Sequence, residues 1–121
     1  MKIVMFTGHR DRQADPADLE RIAREHADAI WVHGGAIGFD TQVDAVALRY
    51  RIPVLEVVPN YKKYPKSRAP IVRNEQMADL TARAEERVLF ALWDGRRHGG
   101  TYRTMEYGKA LGIPVTVLTP V

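Results

Sequence analysis

The stretch Gly34-Gly35-Ala36-Ile37-Gly38-Phe39-Asp40 lies between a short apolar run ending at Val32 and a helical pattern that begins near Asp40. A strand that passes through a glycine-rich turn into a helix is suited to holding an anionic group. Glycines let the backbone approach a ligand closely, and a helix start offers unpaired N–H groups at the positive end of a dipole. The spacing is neither Gly-x-Gly-x-x-Gly nor a Walker loop, which requires a Gly-Lys-Ser/Thr that the chain lacks. The same design occurs twice more. Thr7-Gly8-His9-Arg10 closes the first apolar run, and Trp93 to Thr101 carries Gly95, Gly99 and Gly100 ahead of another helical pattern. At that third corner Thr101 adds a hydroxyl donor to the bare amides.

Several side chains around these corners have a plausible task. Arg10 offers a planar fork for a phosphate or carboxylate. His9 is suited either to ligand contact or to a hydrogen bond within its loop. Asp40 falls at the expected N-cap of the second helix, where it would cap, accept hydrogen bonds from a ribose, or both. Trp93 is either a stacking surface on the pocket wall or plain core. His33 reads as a strand-end residue with a local partner, and neither it nor His98 has the spacing of a metal ligand. Residues 61–74 hold Lys62, Lys63, Lys66, Arg68 and Arg73 with Tyr61 and Tyr64 interleaved and no acidic residue. Such a loop suits a lid over a phosphate-bearing ligand, or contact with single-stranded nucleic acid. Arg73 and Asn74 are the better-placed pair, because a helix fixes them.

The elements that must position these residues follow from hydrophobic periodicity. Residues 2–7, 30–33, 52–58, 87–93 and 114–118 read as strands, mostly apolar, as in sheets covered on both faces. Helices are expected from Pro16 to about residue 29, from near Asp40 to Tyr50, from Pro70 to about residue 84, and from Thr101 to Leu111. Asp15-Pro16 supplies an N-cap followed by proline at the first helical position. The strict alternation implies a single α/β domain over residues 1–121, a small doubly wound three-layer α/β/α fold with a five-stranded parallel sheet. In such a sheet ligands sit beyond the carboxyl ends of the strands, where strand order reverses. All three glycine-bearing corners leave those ends.

Composition narrows the possibilities. A chain of 121 residues can bury one core without staples. The absence of cysteine excludes disulfides, thiolate metal sites and a cysteine nucleophile. The opening Met-Lys-Ile-Val-Met-Phe-Thr-Gly is too short for a signal peptide, and no stretch reaches membrane-spanning length, so the expectation is a soluble cytoplasmic protein without membrane contact. A net charge of +3 suits a phosphorylated partner without specifying nucleic acid.

Taken together these motifs resemble the SLOG superfamily, the Rossmann-like group that includes the DNA-processing protein DprA and the LOG phosphoribohydrolases. The likeness is nearest to its YspA-like branch and covers nearly the whole chain. The matching residues are Gly8-His9-Arg10, Gly34-Gly35-Ala36-Ile37-Gly38-Phe39-Asp40, Arg73-Asn74 with Met77, and Gly100-Thr101 preceded by Gly99. The resemblance implies a Rossmann-like fold and a nucleotide-derived ligand such as a nucleoside monophosphate, ADP-ribose or an NAD relative, with no separate cofactor and with pairing into a homodimer. Some relatives hydrolyse the N-glycosidic bond of nucleoside monophosphates. For that chemistry Asp40, Asp94 or Glu106 would supply a carboxylate and Arg73 would hold the phosphate.

The sequence departs from the LOG pattern in two places. No proline precedes the last glycines, and Glu106 lies two residues beyond the expected glutamate position, which Thr104 occupies. The branch also has serine where His9 stands. These departures weigh against catalysis more than against binding. The expectations are therefore ordered as nucleotide binding first, nucleotide N-glycosidase second, and DprA-like single-stranded DNA binding third. The face formed by Thr101, Thr104, Met105, Gly108 and Leu111 is a candidate pairing surface.

Overall fold

The computed structural model describes all residues from 1 to 121. Strands β1 (Lys2–Gly8), β2 (Ile30–His33), β3 (Val54–Glu56), β4 (Glu86–Leu92) and β5 (Val115–Leu118) alternate with helices α1 (Pro16–Glu25), α2 (Phe39–Arg49), α3 (Ala69–Ala82) and α4 (Gly100–Ala110). The sheet is wholly parallel in the order β3-β2-β1-β4-β5. The chain therefore runs outward from β1 to β3, returns across the sheet through α3, and continues from β4 to β5. The reversal lies between β1 and β4, which pair over their full length from Lys2 with Glu86 to Gly8 with Leu92.

Alternate side chains of β1 divide the core between two faces. Val4 and Phe6 join Leu19, Ile22, Phe39, Val43 and Trp31 beneath α1 and α2. Ile3 and Met5 join Val32, Met77, Ala78, Leu89 and Ile113 on the other face. Period-2 alternation with burial on both sides explains why β1 reads as a continuous apolar run. Phe6 is the centre of the first layer, with ring centroids 4.8 Å from Trp31, 5.8 Å from Phe90 and 6.2 Å from Phe39.

Helix α1 starts as its sequence requires, with Asp15 accepting a hydrogen bond from the Ala17 amide at 2.9 Å and Pro16 opening the helix. It ends at Glu25, short of residue 29. His26 leaves helical geometry, and its carbonyl accepts the Trp31 indole N–H at 3.2 Å. The third strand is three residues long rather than spanning 52–58. Pro53 has no N–H to give to a ladder, and Pro59 closes the far side. The expected pairing surface on α4 is core instead: Thr101, Thr104 and Met105 are buried, and Gly108 packs under Leu89. Only Leu111 of that face reaches the surface, because the helix turns its small residues to the sheet to allow close approach.

Candidate anion-binding site

Above the reversal between β1 and β4, at the carboxyl edge of the sheet, lies a cavity of about 570 Å³. Its volume falls in the ordinary range for small-molecule sites. Its walls come from four directions: Gly8, His9, Arg10 and Asp11 after β1; Gly34, Gly35, Ala36 and Asp40 after β2; Pro59 and Tyr61 after β3 with Arg73, Asn74 and Met77 of α3; and Arg96, His98, Gly99, Gly100 and Thr101 after β4. All three glycine-bearing corners thus share one hollow.

They do not share one role. At the second corner the amides are already engaged. Asp40 is not the N-cap of α2; Gly38 is, at φ 83° and without a side-chain cap. From the first turn of α2 the Asp40 carboxylate folds back over the loop, and its Oδ2 accepts the Gly34 and Ala36 N–H groups, each at 3.2 Å. The Gly35 N–H donates to His33 Nδ1 at 3.0 Å, so His33 Nε2 carries the proton and faces Asp44 at 2.9 Å. His33 is buried and serves the loop as a local partner. The three amides expected to cradle a phosphate are therefore satisfied by the protein's own side chains.

The glycines here serve self-packing. A Cβ on Gly34 would meet the Arg73 guanidinium, one on Gly35 the Glu56 carboxylate, one on Gly8 the Phe39 ring, and one on Gly38 the Arg10 carbonyl. Gly38 alone fixes the seam between the first and second corners, because its positive φ and this backbone contact both exclude a side chain.

The third corner is different. Gly99 caps α4 at φ 90° with no side-chain cap, and a Cβ on Gly99 or Gly100 would meet nothing within 4 Å. The first amides of α4 therefore open onto the cavity beside Thr101, which is buried at its wall. This end keeps the features that favour an anion.

Two guanidiniums face the same space. Arg73 lies against Gly34, donating from Nη1 to the Gly34 carbonyl at 2.6 Å and from Nε to Asn74 Oδ1 at 2.8 Å. Arg10 is exposed and lines the same cavity. Neither Arg10 nor Arg73 is ion-paired with a carboxylate. Burial lowers the Arg73 pKa, and Arg10 adds to the effect, against the opposing influence of Asp40 and Tyr61. Burial likewise raises the Asp40 pKa, opposed by the Ala36 and Gly34 amides, His33 and Arg73. Each charge is held at a cost that the other partly offsets.

His9 is tied to the third corner. Its Nε2 lies 3.2 Å from the Asp94 amide and 3.3 Å from Asp94 Oδ1, and its Nδ1 lies 3.1 Å from Arg96 Nη2. Arg96 is paired with Asp94 at 2.8 Å. Arg96 stands out little in the sequence, yet it lines the cavity and bridges two corners; only its place in a glycine-bearing loop could have marked it.

The remaining expected residues are less central. Trp93 does not line the cavity; it stacks on Tyr102 at 5.9 Å and donates its indole N–H to the Arg96 carbonyl at 2.7 Å, which braces the loop. Asp94 sits behind His9 and Arg96 rather than at the wall. Glu106 is exposed on α4, 3.4 Å from Lys109, away from the cavity. Of the three candidate catalytic carboxylates only Asp40 reaches the hollow. From the basic loop, Tyr61 lines the cavity whereas Lys62, Lys63, Lys66 and Arg68 do not. That loop is set by local turns, with Asn60 Oδ1 accepting the Lys62 and Lys63 amides.

Fold and cavity define a doubly wound α/β domain with a ligand-sized hollow at its switch point. The chain matches no protein-family model and no curated protein. Its fold is shared with the X-ray structure of DNA processing protein A (DprA) from Streptococcus pneumoniae, at TM-score 0.74 and 18% identity, covering 97% of this chain and 50% of that one. The chain thus spans about half the length of that structure, and the likeness is one of fold. No helix is long and apolar enough to cross a membrane.

Proposed function

We propose that the protein binds a phosphorylated nucleoside or a nucleotide-derived ligand, with the phosphate at the start of α4 and the ribose towards Asp40 and Gly35. The observation that carries this reading is the pair of guanidiniums, Arg10 and Arg73, without carboxylate partners in a cavity that also receives the uncapped amides of α4. An anion there would gain charge-assisted hydrogen bonds from preformed donors. Tyr61, exposed at the rim, is available to stack on a base. The motif resemblance supports a place in the SLOG superfamily, in its YspA-like branch, acting as a binding protein rather than a hydrolase; pairing into a homodimer and residence in the cytoplasm belong to the same proposal.

Calorimetry and thermal shift with AMP, ADP-ribose and NAD test the reading, with chromatography of the AMP mixture for free adenine. Saturable binding of at least one of them without release of base is the expected result. Release of adenine would establish the glycosidase instead, with Asp40 as its carboxylate. No binding of any of the three at millimolar concentration would overturn both.

A DNA-processing protein shares the fold, and the exposed Lys62, Lys63, Lys66 and Arg68 form a basic lip beside the cavity. Single-stranded DNA is accordingly the competing ligand. Binding of an oligonucleotide that weakens steeply with salt, in a protein that ignores all three nucleotides, would favour it.

A further inference from the structure

We infer that Asp40 is a positioning residue, an internal anion that closes the Gly34–Ala36 loop and thereby sets the Arg73 guanidinium for an external anion. The inference rests on the nucleotide-binding reading for its ligand, though not for its geometry. Asp40 is 8% exposed and sits at the wall of the cavity. Its Oδ2 holds the amides of Gly34 and Ala36. The same residue, Gly34, presents its carbonyl to Arg73 Nη1 and its bare Cα to the guanidinium face. One peptide segment is therefore gripped by a carboxylate on its N–H side and by a guanidinium on its C=O side.

Arg73 has one further fixed contact, from Nε to Asn74, and the rest of its fork remains available. The loop is consequently the surface against which the guanidinium is oriented. A carboxylate in a cavity that accepts anions would, on charge alone, oppose the ligand. Its presence, buried and doubly hydrogen-bonded, is explained if the order it imposes on Arg73 outweighs that repulsion. Glycine at 34 serves the same end, since any side chain there would lift the guanidinium away.

The two accounts give opposite signs. If Asp40 acts only as a charge, Asp40→Asn removes repulsion and AMP binds more tightly. If it acts through the loop, Asp40→Asn weakens AMP binding by about tenfold, the scale of one hydrogen bond to a charged group. The loss must also run through Arg73. In an Arg73→Lys background, Asp40→Asn should then change AMP affinity little, whereas independent contributions would add. Isothermal calorimetry with AMP on wild type, the two single variants and the double variant gives the comparison. Equal or tighter binding by Asp40→Asn, or additive losses in the double variant, would overturn the inference.

A second arm needs no ligand. In the wild-type protein the Gly34 and Ala36 amides should exchange slowly with solvent. In Asp40→Ala they should exchange at least about tenfold faster while the β1 amides keep their rates. Unchanged exchange at both positions would refute the loop-closing role. If the wild type bound none of AMP, ADP-ribose or NAD while this exchange difference appeared, the ligand assignment would fail and the role of Asp40 in the loop would stand.

Discussion

His9 and Arg96 meet ring to guanidinium, with Nδ1 3.1 Å from Nη2, across the gap between the loop after β1 and the loop after β4. A guanidinium can only donate. The contact therefore requires a bare Nδ1, and the Asp94 N–H, 3.2 Å from Nε2, requires a bare Nε2, so a neutral ring accepts from one of the two at a time and a protonated ring from neither. Protonation leaves the pairing with Asp94 Oδ1, 3.3 Å from Nε2, but removes the acceptor that links the ring to Arg96.

Acid should release this link. Burial lowers the His9 pKa; Arg96 and Arg12 act in the same direction, while Asp94 and Asp11 oppose them. The folded value thus lies below the ordinary 6.5. The stabilisation is complete above that ordinary value and is lost as pH falls through the lowered one. The Trp93 indole, which donates to the Arg96 carbonyl, is a local reporter. Its indole N–H resonance should shift on acidification from about pH 7.5 to 5 and stay nearly fixed in His9→Gln. His26, also lowered by burial, lies beside the other tryptophan, Trp31, so the two titrations separate by residue. An identical Trp93 response in His9→Gln would show that His9 is not the group responsible.

Gly99 and Gly100 should separate folding from binding. A methyl on either enters open space inside or beside the cavity. Gly100 has ordinary backbone geometry, so Gly100→Ala should leave the melting temperature equal or slightly higher, alanine being the better helix former by roughly 0.5–1 kcal/mol. The same methyl would stand where an anion approaches the α4 amides, and AMP affinity should fall by about tenfold or more. Gly99→Ala differs, because φ 90° and ψ −179° suit glycine alone, and should cost about 1–3 kcal/mol in denaturant unfolding. Undiminished AMP affinity in Gly100→Ala would move the phosphate away from α4.

Gly34→Ala probes the opposite wall. Its Cβ would lie 2.5 Å from Arg73 Nη1 and 2.7 Å from Cζ. The obstructing atoms are the end of a flexible side chain, and Gly34 has no positive φ. The protein should therefore fold, with Arg73 displaced and AMP bound more weakly. Measured by calorimetry, the defect should be no larger when Arg73→Lys is already present. Gly38→Ala has no such escape, since its methyl would strike the Arg10 carbonyl, and it should lower the melting temperature as well as affinity.

Much of this was legible in the residues. Apolar runs separated by helical periodicity specify five strands and four helices, and the rule for parallel sheets sends Gly8, Gly34 and Gly100 to one edge. What the sequence leaves open is which amides stay free. Gly34-Gly35-Ala36 looks as suited to phosphate as Gly99-Gly100, because local pattern does not reveal that Asp40 turns back to occupy it. Nor does periodicity tell a pairing face from a core face: Thr101, Thr104 and Met105 present the same stripe in either case, and only the sheet's position decides. Arg96 is silent for a similar reason, since its partner His9 is 87 residues away.

Glu106 is the place to separate binding from hydrolysis by analogy. It approximates the glutamate of the LOG pattern in sequence, yet it is exposed on α4 and engages Lys109 at 3.4 Å. An exposed pair of this kind contributes little to stability. Glu106→Gln should accordingly leave the melting temperature and AMP affinity unchanged, and any adenine released by the wild type would be released as fast by the variant. Asp40→Asn, by contrast, alters the one candidate carboxylate at the cavity wall. Burial raises the Asp40 pKa, so folding favours its protonated form; the contribution of this one group to stability is full below the ordinary carboxylate range and is lost as pH rises through the raised value. Because asparagine carries no charge to bury, Asp40→Asn should flatten that part of the pH–stability curve. A Glu106→Gln protein that loses AMP binding, or an Asp40→Asn protein with an unaltered pH profile, would contradict this division between the two carboxylates.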